Sequence, residues 1–527
     1  MEEKLTREAI LDLLGRRDDV FFKLPFARYL LGDQDEVHKF SELLYLDHLF
    51  HWNSFFEYDP RKVGAADFLK SFQAIAQGFT ARPPSFTPIS RTHSGELAGG
   101  SHRLSLAMAG EQTHNELVSV PVLPSLWPGA DWSFAFFRSQ GMSESAILFA
   151  LLEKSIYFQS ENEVMPVLVV WPRAQEYWEQ IQEKLVERFQ EKLPIISFEL
   201  SNQQLQRLVL VAYHGESWAE NNSGVQTKTR EVASNGSDTV KLVVLPPGCQ
   251  QEIQNLKRDL RQIWGHEFQG VHSTNNWSES FRILSSFSNQ RSLQVTVSSS
   301  VSRLRKNLEW ASKTAVAVEK QFGEDRFGWA VSGSWVLGLL GIREAKDLDI
   351  LFLSSSSSSS SRTSGEFSSH NEYLKSFGVN VGEIISNPEL HFWFGGIKII
   401  SPNAYLSFIK KRMEGKDIIW GESLLKRRRL TALDSDLLNL RLAFLSLSGE
   451  PSRTPAGEGS RFSPIGAEQV DWNQTGTISA DFGREGFLKK TYRFVWPLKA
   501  RLTRTRFYGR HLLAKIVRRL VAKVVRR

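Results

Sequence analysis

Two carboxylates two residues apart, Asp347 and Asp349, stand in the otherwise apolar run DLDILFL. In an extended strand, residues i and i+2 share a face, so both would project together while Leu348, Ile350 and Leu351 bury the strand. Side by side they repel one another, and such a pair is suited to sharing a cation. Hard oxygen ligands of this kind fit Mg²⁺, which commonly takes one or two carboxylates and completes its shell with substrate phosphates. Upstream, Gly333-Ser334 follows the apolar Trp329-Ala330-Val331 and precedes the helix-like segment WVLGLLGI. A small-residue turn entering a helix N-terminus presents free backbone N–H groups to an anion. Carboxylates for a metal and a turn for phosphate together suggest nucleotidyl transfer.

Gly333-Ser334, twelve intervening residues and then Asp347-Leu348-Asp349 resemble the signature of the DNA polymerase β-like nucleotidyltransferase superfamily. Downstream, FGGIKIISPNAYLSFIKKRMEGKD (Phe394 to Asp417) is similar to a strand and helix that follow in many small members. The resemblance covers roughly residues 305 to 445. It implies Mg²⁺-dependent transfer of a nucleoside monophosphate from a nucleoside triphosphate, with pyrophosphate released. Asp347 and Asp349 would hold the metal, Gly333 and Ser334 would contact the triphosphate, and Lys398 or Lys411 could offset charge. Members normally add a third carboxylate from a neighbouring strand. Glu383 in VNVGEII is the candidate for that role here.

A second motif lies in the N-terminal half. Phe86 to Val122 parses as strand, turn, Gly-Gly-Ser-His-Arg, helix and an alternating strand. Gly100, Ser101, His102 and Arg103 then sit at a helix start, where backbone N–H groups and a guanidinium fork make a phosphate cradle. This segment, about residues 65 to 125, resembles the ParB/sulfiredoxin-like fold, whose members carry a Gly-x-His-Arg or Gly-x-Arg-Arg box. The resemblance implies binding of a nucleotide phosphate, and some members are kinases.

At roughly 100–200 residues per domain, 527 residues suggest about three domains. The expected fold class is α/β and α+β multidomain. A helical segment (1–60) precedes the ParB/sulfiredoxin-like domain (61–165), and an α/β middle domain (166–300) precedes the nucleotidyltransferase fold (305–445). In the middle region VMPVLVVW, PIISFEL, LVLVAYH and VKLVVL read as strands between amphipathic helices, which suggests an α/β layer. Glu216 to Asp238 reads as an exposed loop. The run Ser354 to Ser361 reads as a flexible loop beside the carboxylates. Lone His272 reads as structural and Cys249, in the PPGC turn, as incidental, and no chemistry-bearing motif stands out between residues 165 and 300.

A disordered linker (449–476) is expected before a basic amphipathic tail (486–527). That tail holds fourteen Lys or Arg and no acid, which leaves residues 1–485 at −7 out of a total of +7. The acidic body lacks the basic face that nucleic-acid binding needs. In RHLLAKIVRRLVAKVVRR, apolar pairs recur every four positions with cations opposite, a pattern suited first to an anionic membrane surface, then to an acidic partner protein or a nucleic-acid backbone. The N-terminus has no apolar signal-peptide core, and no window approaches 18 uninterrupted apolar residues. A cytoplasmic protein follows, with the tail able to attach it at the inner face of a membrane. Three activities stay open: nucleotidyl transfer to an unknown acceptor, an ATP-dependent kinase using His102 and Arg103, and a non-catalytic nucleotide-binding scaffold.

Overall fold

The computed structural model describes residues 2–425 except 5–6, 16, 33–38, 54, 56–61, 63, 82–88, 92–96, 111–115, 120–131, 161–163, 190–192, 235–237, 265–269, 288, 323–327, 346, 354–367, 370–373 and 413. The Ser354 to Ser361 run, the linker 449–476 and the basic tail 486–527 lie outside the described residues. The described residues cluster as one compact unit. The chain is mixed helix and strand, as expected, with three separate sheets among the described residues.

The first sheet contains β1 (Glu2–Lys4), β2 (Ile89–Arg91), β3 (Leu97–Gly99) and β4 (Glu116–Ser119), in the order β1-β4-β2-β3. β2 runs antiparallel to β3 and parallel to β4, and β1 is antiparallel to β4. The N-terminal residues are therefore not a purely helical leader, because β1 completes this sheet. Helix Asp19–Leu31 packs against helix Ser101–Ala109, which follows β3 directly. Its Phe21, Phe22, Leu24 and Phe26 are all fully buried, giving an aromatic core with Tyr45, Phe72 and Phe137.

The middle sheet contains β5 (Val167–Val170), β6 (Ile195–Glu199), β7 (Thr239–Val244) and β8 (Val271–Ser273), in the order β6-β7-β5-β8. Every neighbouring pair is antiparallel. Alternation of strands and helices predicts an α/β layer, and the connectivity is the split β-α-β pattern: β5 and β6 flank β7, with helix Trp178–Phe189 joining them along the chain. Leu168 and Val170 share a face with Val243 and bury it under helices Trp178–Phe189 and Gln250–Trp264, through Ile181, Leu185, Ile253, Leu256 and Leu260. At ~25 cal/mol per Å² of apolar surface, each of these side chains contributes about 1.5–3 kcal/mol.

Two expectations fail here. LVLVAYH is not a strand: Asn202–Ala212 is a helix whose Leu208, Val209, Leu210, Val211 and Ala212 are all buried. A short apolar run reads alike in a buried strand and a buried helix. The deciding signal is the capping box, in which Ser201 accepts from the Gln204 N–H and Gln204 returns to the Ser201 N–H. The supposed loop from Glu216 also folds, as a short 3₁₀ turn and helix Asn222–Val232. Asn221 caps that helix at the Gly224 N–H. Cys249 is buried, donates to the Pro246 carbonyl, and burial pushes its thiol up to about 12, which fits a structural residue.

The third sheet contains β9 (Trp329–Ser332), β10 (Asp349–Phe352), β11 (Ser368–Ser369), β12 (His391–Phe394) and β13 (Ile397–Ile400), in the order β11-β10-β9-β13-β12. β9 is central, antiparallel to β10 and parallel to β13. Helix Pro402–Arg412 follows β13, so the strand and helix expected from Phe394 onward both form.

Candidate functional site

At the end of β9 the chain turns at Gly333 (φ +65°) into helix Ser334–Leu339. Its partner strand β10 starts at Asp349, which pairs with Ser332. The turn and the carboxylate therefore meet at the same sheet end. A methyl group at Gly333 would lie 1.8 Å from Asp349 Oδ2, so only glycine admits the carboxylate there. The Ser334 backbone N–H donates to Asp349, and Ser334 Oγ donates to the Asp347 carbonyl at 3.4 Å. Thus the turn and the two aspartates form one connected unit, in which the Ser334 N–H and Oγ are taken up by Asp349 and Asp347.

Asp347 lies in a bend just before β10, exposed, while Asp349 is half-buried. The two are therefore not consecutive same-face residues of one strand. They are nevertheless close enough to repel. Burial first, and then the Asp347 charge, raises the affinity of Asp349 for a proton; the Ser334 N–H, Arg412 and Arg343 act against this. Arg343 and Arg412 are thus the cations that feel the carboxylate, and both escaped the reading of the sequence. Arg343 lies over the Trp420 ring, 5.4 Å from its centroid, and its buried Nε has no acceptor among the described residues. Its position four residues before Asp347 is a local cue; that of Arg412 depends on how helix Pro402–Arg412 returns. Lys398 is directed elsewhere: buried, it donates to the Ile385 carbonyl at 2.8 Å and lies over Trp393. Lys411 approaches Gly378.

Register explains what the neighbouring strand supplies. Ile399 pairs with Val331, which pairs with Ile350, so alternation puts Lys398 and Ile400 on the face of Asp349. The strand beside β9 therefore offers a lysine there, not an acid. Glu383 lies on helix Val381–Ser386. That helix covers the same face, because His391 and Lys398 bond the carbonyls of Ile384 and Ile385. Glu383 Oε1 accepts from Asn387 at 2.9 Å. Among the described residues no three His, Cys, Asp or Glu side chains converge as a metal-holding group.

Gly333→Ala is expected to lower stability by about 2–4 kcal/mol, combining a left-handed backbone with overpacking against Asp349. Urea unfolding measures it; a loss below about 0.5 kcal/mol would mean that Gly333 and Asp349 are not in contact.

The N-terminal box is built differently from its expected form. Gly100 (φ +88°) opens helix Ser101–Ala109. His102 turns inward: Tyr45 Oη and His102 Nε2 are 2.9 Å apart, and the ring packs edge-on against Phe72. Burial first, then the nearby Lys23 charge, holds its imidazole well below the usual range, so it is neutral at pH 7. Arg103 is half-buried beside it. The cation at the helix start is instead Lys23, whose Nζ donates to Ser101 Oγ at 2.9 Å and to Asp19 Oδ2 at 2.5 Å. Arg17 grips the same carboxylate at 2.7 and 3.1 Å, donates to the Leu97 carbonyl at 2.9 Å and lies over Trp132. A charged Lys23 inside DDVFFKLPF, four residues after Asp19, was the cue.

No helix among the described residues is long and apolar enough to cross a membrane. No protein-family model, curated protein or solved structure matches the chain.

Proposed function

We propose that this chain is a Mg²⁺-dependent nucleotidyltransferase that moves a nucleoside monophosphate from a nucleoside triphosphate to an acceptor. Small molecules, sugar phosphates and proteins are the candidate acceptors. The observation that carries the reading is Asp349 seated against Gly333 and Ser334, with Asp347, Arg343 and Arg412 around it. The donor set fits the ion: two carboxylates, one with a raised proton affinity, are relieved by a cation that draws its other ligands from phosphate and water. Asp347 and Asp349 would hold Mg²⁺, which when bound neutralises the triphosphate and favours in-line displacement at the α-phosphorus.

The chain's own groups do the rest. The N-terminal turn of helix Ser334–Leu339 faces the phosphates, and Arg343 and Arg412 balance charge on the leaving pyrophosphate. The reaction proposed is cytoplasmic, and the tail 486–527 would bring it to an anionic membrane surface. Two alternatives have their own support. The Gly100 helix start with half-buried Arg103 at it favours a phosphate there, and so an ATP-dependent kinase. Lys398 in place of an acid on the Asp349 face favours a nucleotide-binding scaffold without turnover.

Purified full chain incubated with Mg²⁺, acceptor pools and NTPs labelled at α or γ separates the three. Nucleotidyl transfer predicts α-label on acceptor; γ-label transfer lost in Arg103→Ala would establish the kinase instead. Both labels remaining on intact, bound nucleotide would leave the scaffold. For the tail, flotation with anionic and neutral vesicles is expected to show binding to the anionic ones alone, and equal binding to both would overturn the electrostatic attachment.

A further inference from the structure

A largely buried histidine ties two helices together outside the sites above. His51 lies in the last turn of helix Lys39–Asn53, one turn after Asp47. Its Nε2 stands 3.3 Å from Asp47 Oδ1, and its Nδ1 stands 3.1 Å from the carbonyl of Gln140, the residue that ends helix Phe134–Ser139. A carbonyl only accepts, so that bond needs a hydrogen on Nδ1. An ionised carboxylate also only accepts, so the second contact needs a hydrogen on Nε2 as well. Both are therefore made at once only by the doubly protonated, charged imidazole. The neutral ring keeps one of them and turns a lone pair toward the other acceptor.

Asp47 depends on this contact. It is 5% exposed, and its other oxygen, Oδ2, is buried with no hydrogen-bond partner among the described residues. A buried carboxylate stripped of its countercharge is strongly destabilising, since nothing replaces the water it gave up. The other ionisable groups nearby are engaged among themselves. On the same helix, His48 Nδ1 donates to the Tyr45 carbonyl at 2.6 Å, and burial first, then Lys23, keeps that ring neutral. Of the helices packed against Lys39–Asn53, Asp19–Leu31 carries Asp19 bound to Lys23 and Arg28 bound to Glu153, each at 2.5 Å. Phe134–Ser139 carries Arg138, paired with Glu144 at 2.8 Å, and Val381–Ser386 carries Glu383, which accepts from Asn387. For His51 itself, burial disfavours the charged ring, but Asp47 and then the Gln140 carbonyl outweigh it and raise its proton affinity.

We propose that Asp47 and His51 form a proton-held latch between helices Lys39–Asn53 and Phe134–Ser139, closed while His51 is protonated and released as the pH rises. The sign follows from linkage. A group whose folded pKa is raised stabilises fully below its unfolded value, near 6.5, and loses that contribution as the pH rises through the folded value. The release reaches beyond the two helices. Trp52, next along the chain, meets Trp132 edge-on with ring centroids 5.1 Å apart, and Arg17 lies 4.1 Å from the Trp132 centroid. Arg17 shares Asp19 with Lys23, which donates to Ser101. Opening the last turn of helix Lys39–Asn53 therefore loosens a chain of contacts that ends at the Gly100 helix start.

NMR of the histidine-labelled full chain between about pH 5 and 9 tests this, with the His51 signal assigned by its absence in His51→Gln. The His51 midpoint is expected above about 6.5 in wild type and below it in Asp47→Asn, which removes the countercharge and leaves the burial. If His51→Gln folds poorly, the one signal whose midpoint moves in this way in Asp47→Asn identifies the ring. Amide hydrogen exchange, corrected for its intrinsic pH dependence, should accelerate at residues 47–53 and 134–142 as wild type passes the His51 midpoint. In Asp47→Asn the corrected exchange of both segments should not change over the same interval. A wild-type His51 midpoint at or below about 6.5, or protection of both segments unchanged across its titration, would overturn the proposal.

Discussion

Asp19→Ala is expected to destabilise the protein by about 3–5 kcal/mol, the loss that follows when one member of a buried charge network is removed. Asp19, Lys23 and Arg17 are 2%, 3% and 7% exposed, so none can be rescued by water. Burial alone would push the Asp19 carboxyl up, but Arg17 and Lys23 together outweigh it and hold it far below the usual range. Alanine would leave a guanidinium and an ammonium facing each other in the core. The sign with pH follows. A carboxyl whose folded pKa is depressed stabilises fully above its unfolded value near 3.8 and progressively less as pH falls below it. Urea unfolding of wild type should therefore lose stability below about pH 4, and Asp19→Ala should lose less over that interval. Replacing all three residues together, as Arg17→Met, Asp19→Leu and Lys23→Met, should recover most of the loss, because the apolar trio carries no stranded charge. If Asp19→Ala unfolds at the wild-type urea midpoint, the network contributes nothing and its geometry is incidental.

That network shows where reading the sequence stopped. Gly333, Ser334 and the Asp347/Asp349 pair were legible because they are a local pattern: a turn residue, a helix start and carboxylates at the start of the next strand within twenty residues, although Asp347 falls in the bend before that strand rather than on its face. The Gly100–Arg103 helix start was legible for the same reason. What joins each motif to its surroundings was not. Lys23 reaches Ser101 across 78 residues and Arg17 reaches Leu97 across 80, distances over which no periodicity operates. Burial could not be read either: the His102 imidazole looks like a ligand in sequence, and only the packing of Tyr45 and Phe72 turns it inward. The antiparallel order of β5 to β8 was hidden because strand–helix alternation is common to parallel and split arrangements. Glu383 was singled out by its apolar flanks, which turn out to be those of a short helix capped by Asn380.

The site around Asp349 has a further property that separates its chemistry from its contribution to folding. If the chain is the proposed nucleotidyltransferase, Asp349→Ala is expected to reduce α-label transfer by about 10³-fold or more, since removing a carboxylate that would hold the metal takes away several kcal/mol of charge stabilisation in the transition state. The same substitution should leave stability unchanged or raise it. Burial and the Asp347 charge both work against ionised Asp349, and an acid whose folded pKa is raised destabilises the folded state while it is charged. Its partners, the Ser334 N–H, Arg343 and Arg412, recover part of that loss without removing the repulsion. Asp349→Asn, nearly the same shape, should share both outcomes, so that packing and charge are told apart. A carboxylate kept against its own electrostatics, where Gly333 leaves it room, accords with the cation that the proposed reaction requires there. Transfer within tenfold of wild type in both variants would remove Asp349 from the chemistry. A large fall in stability in Asp349→Asn would instead make the carboxylate a structural anchor for the Gly333 turn.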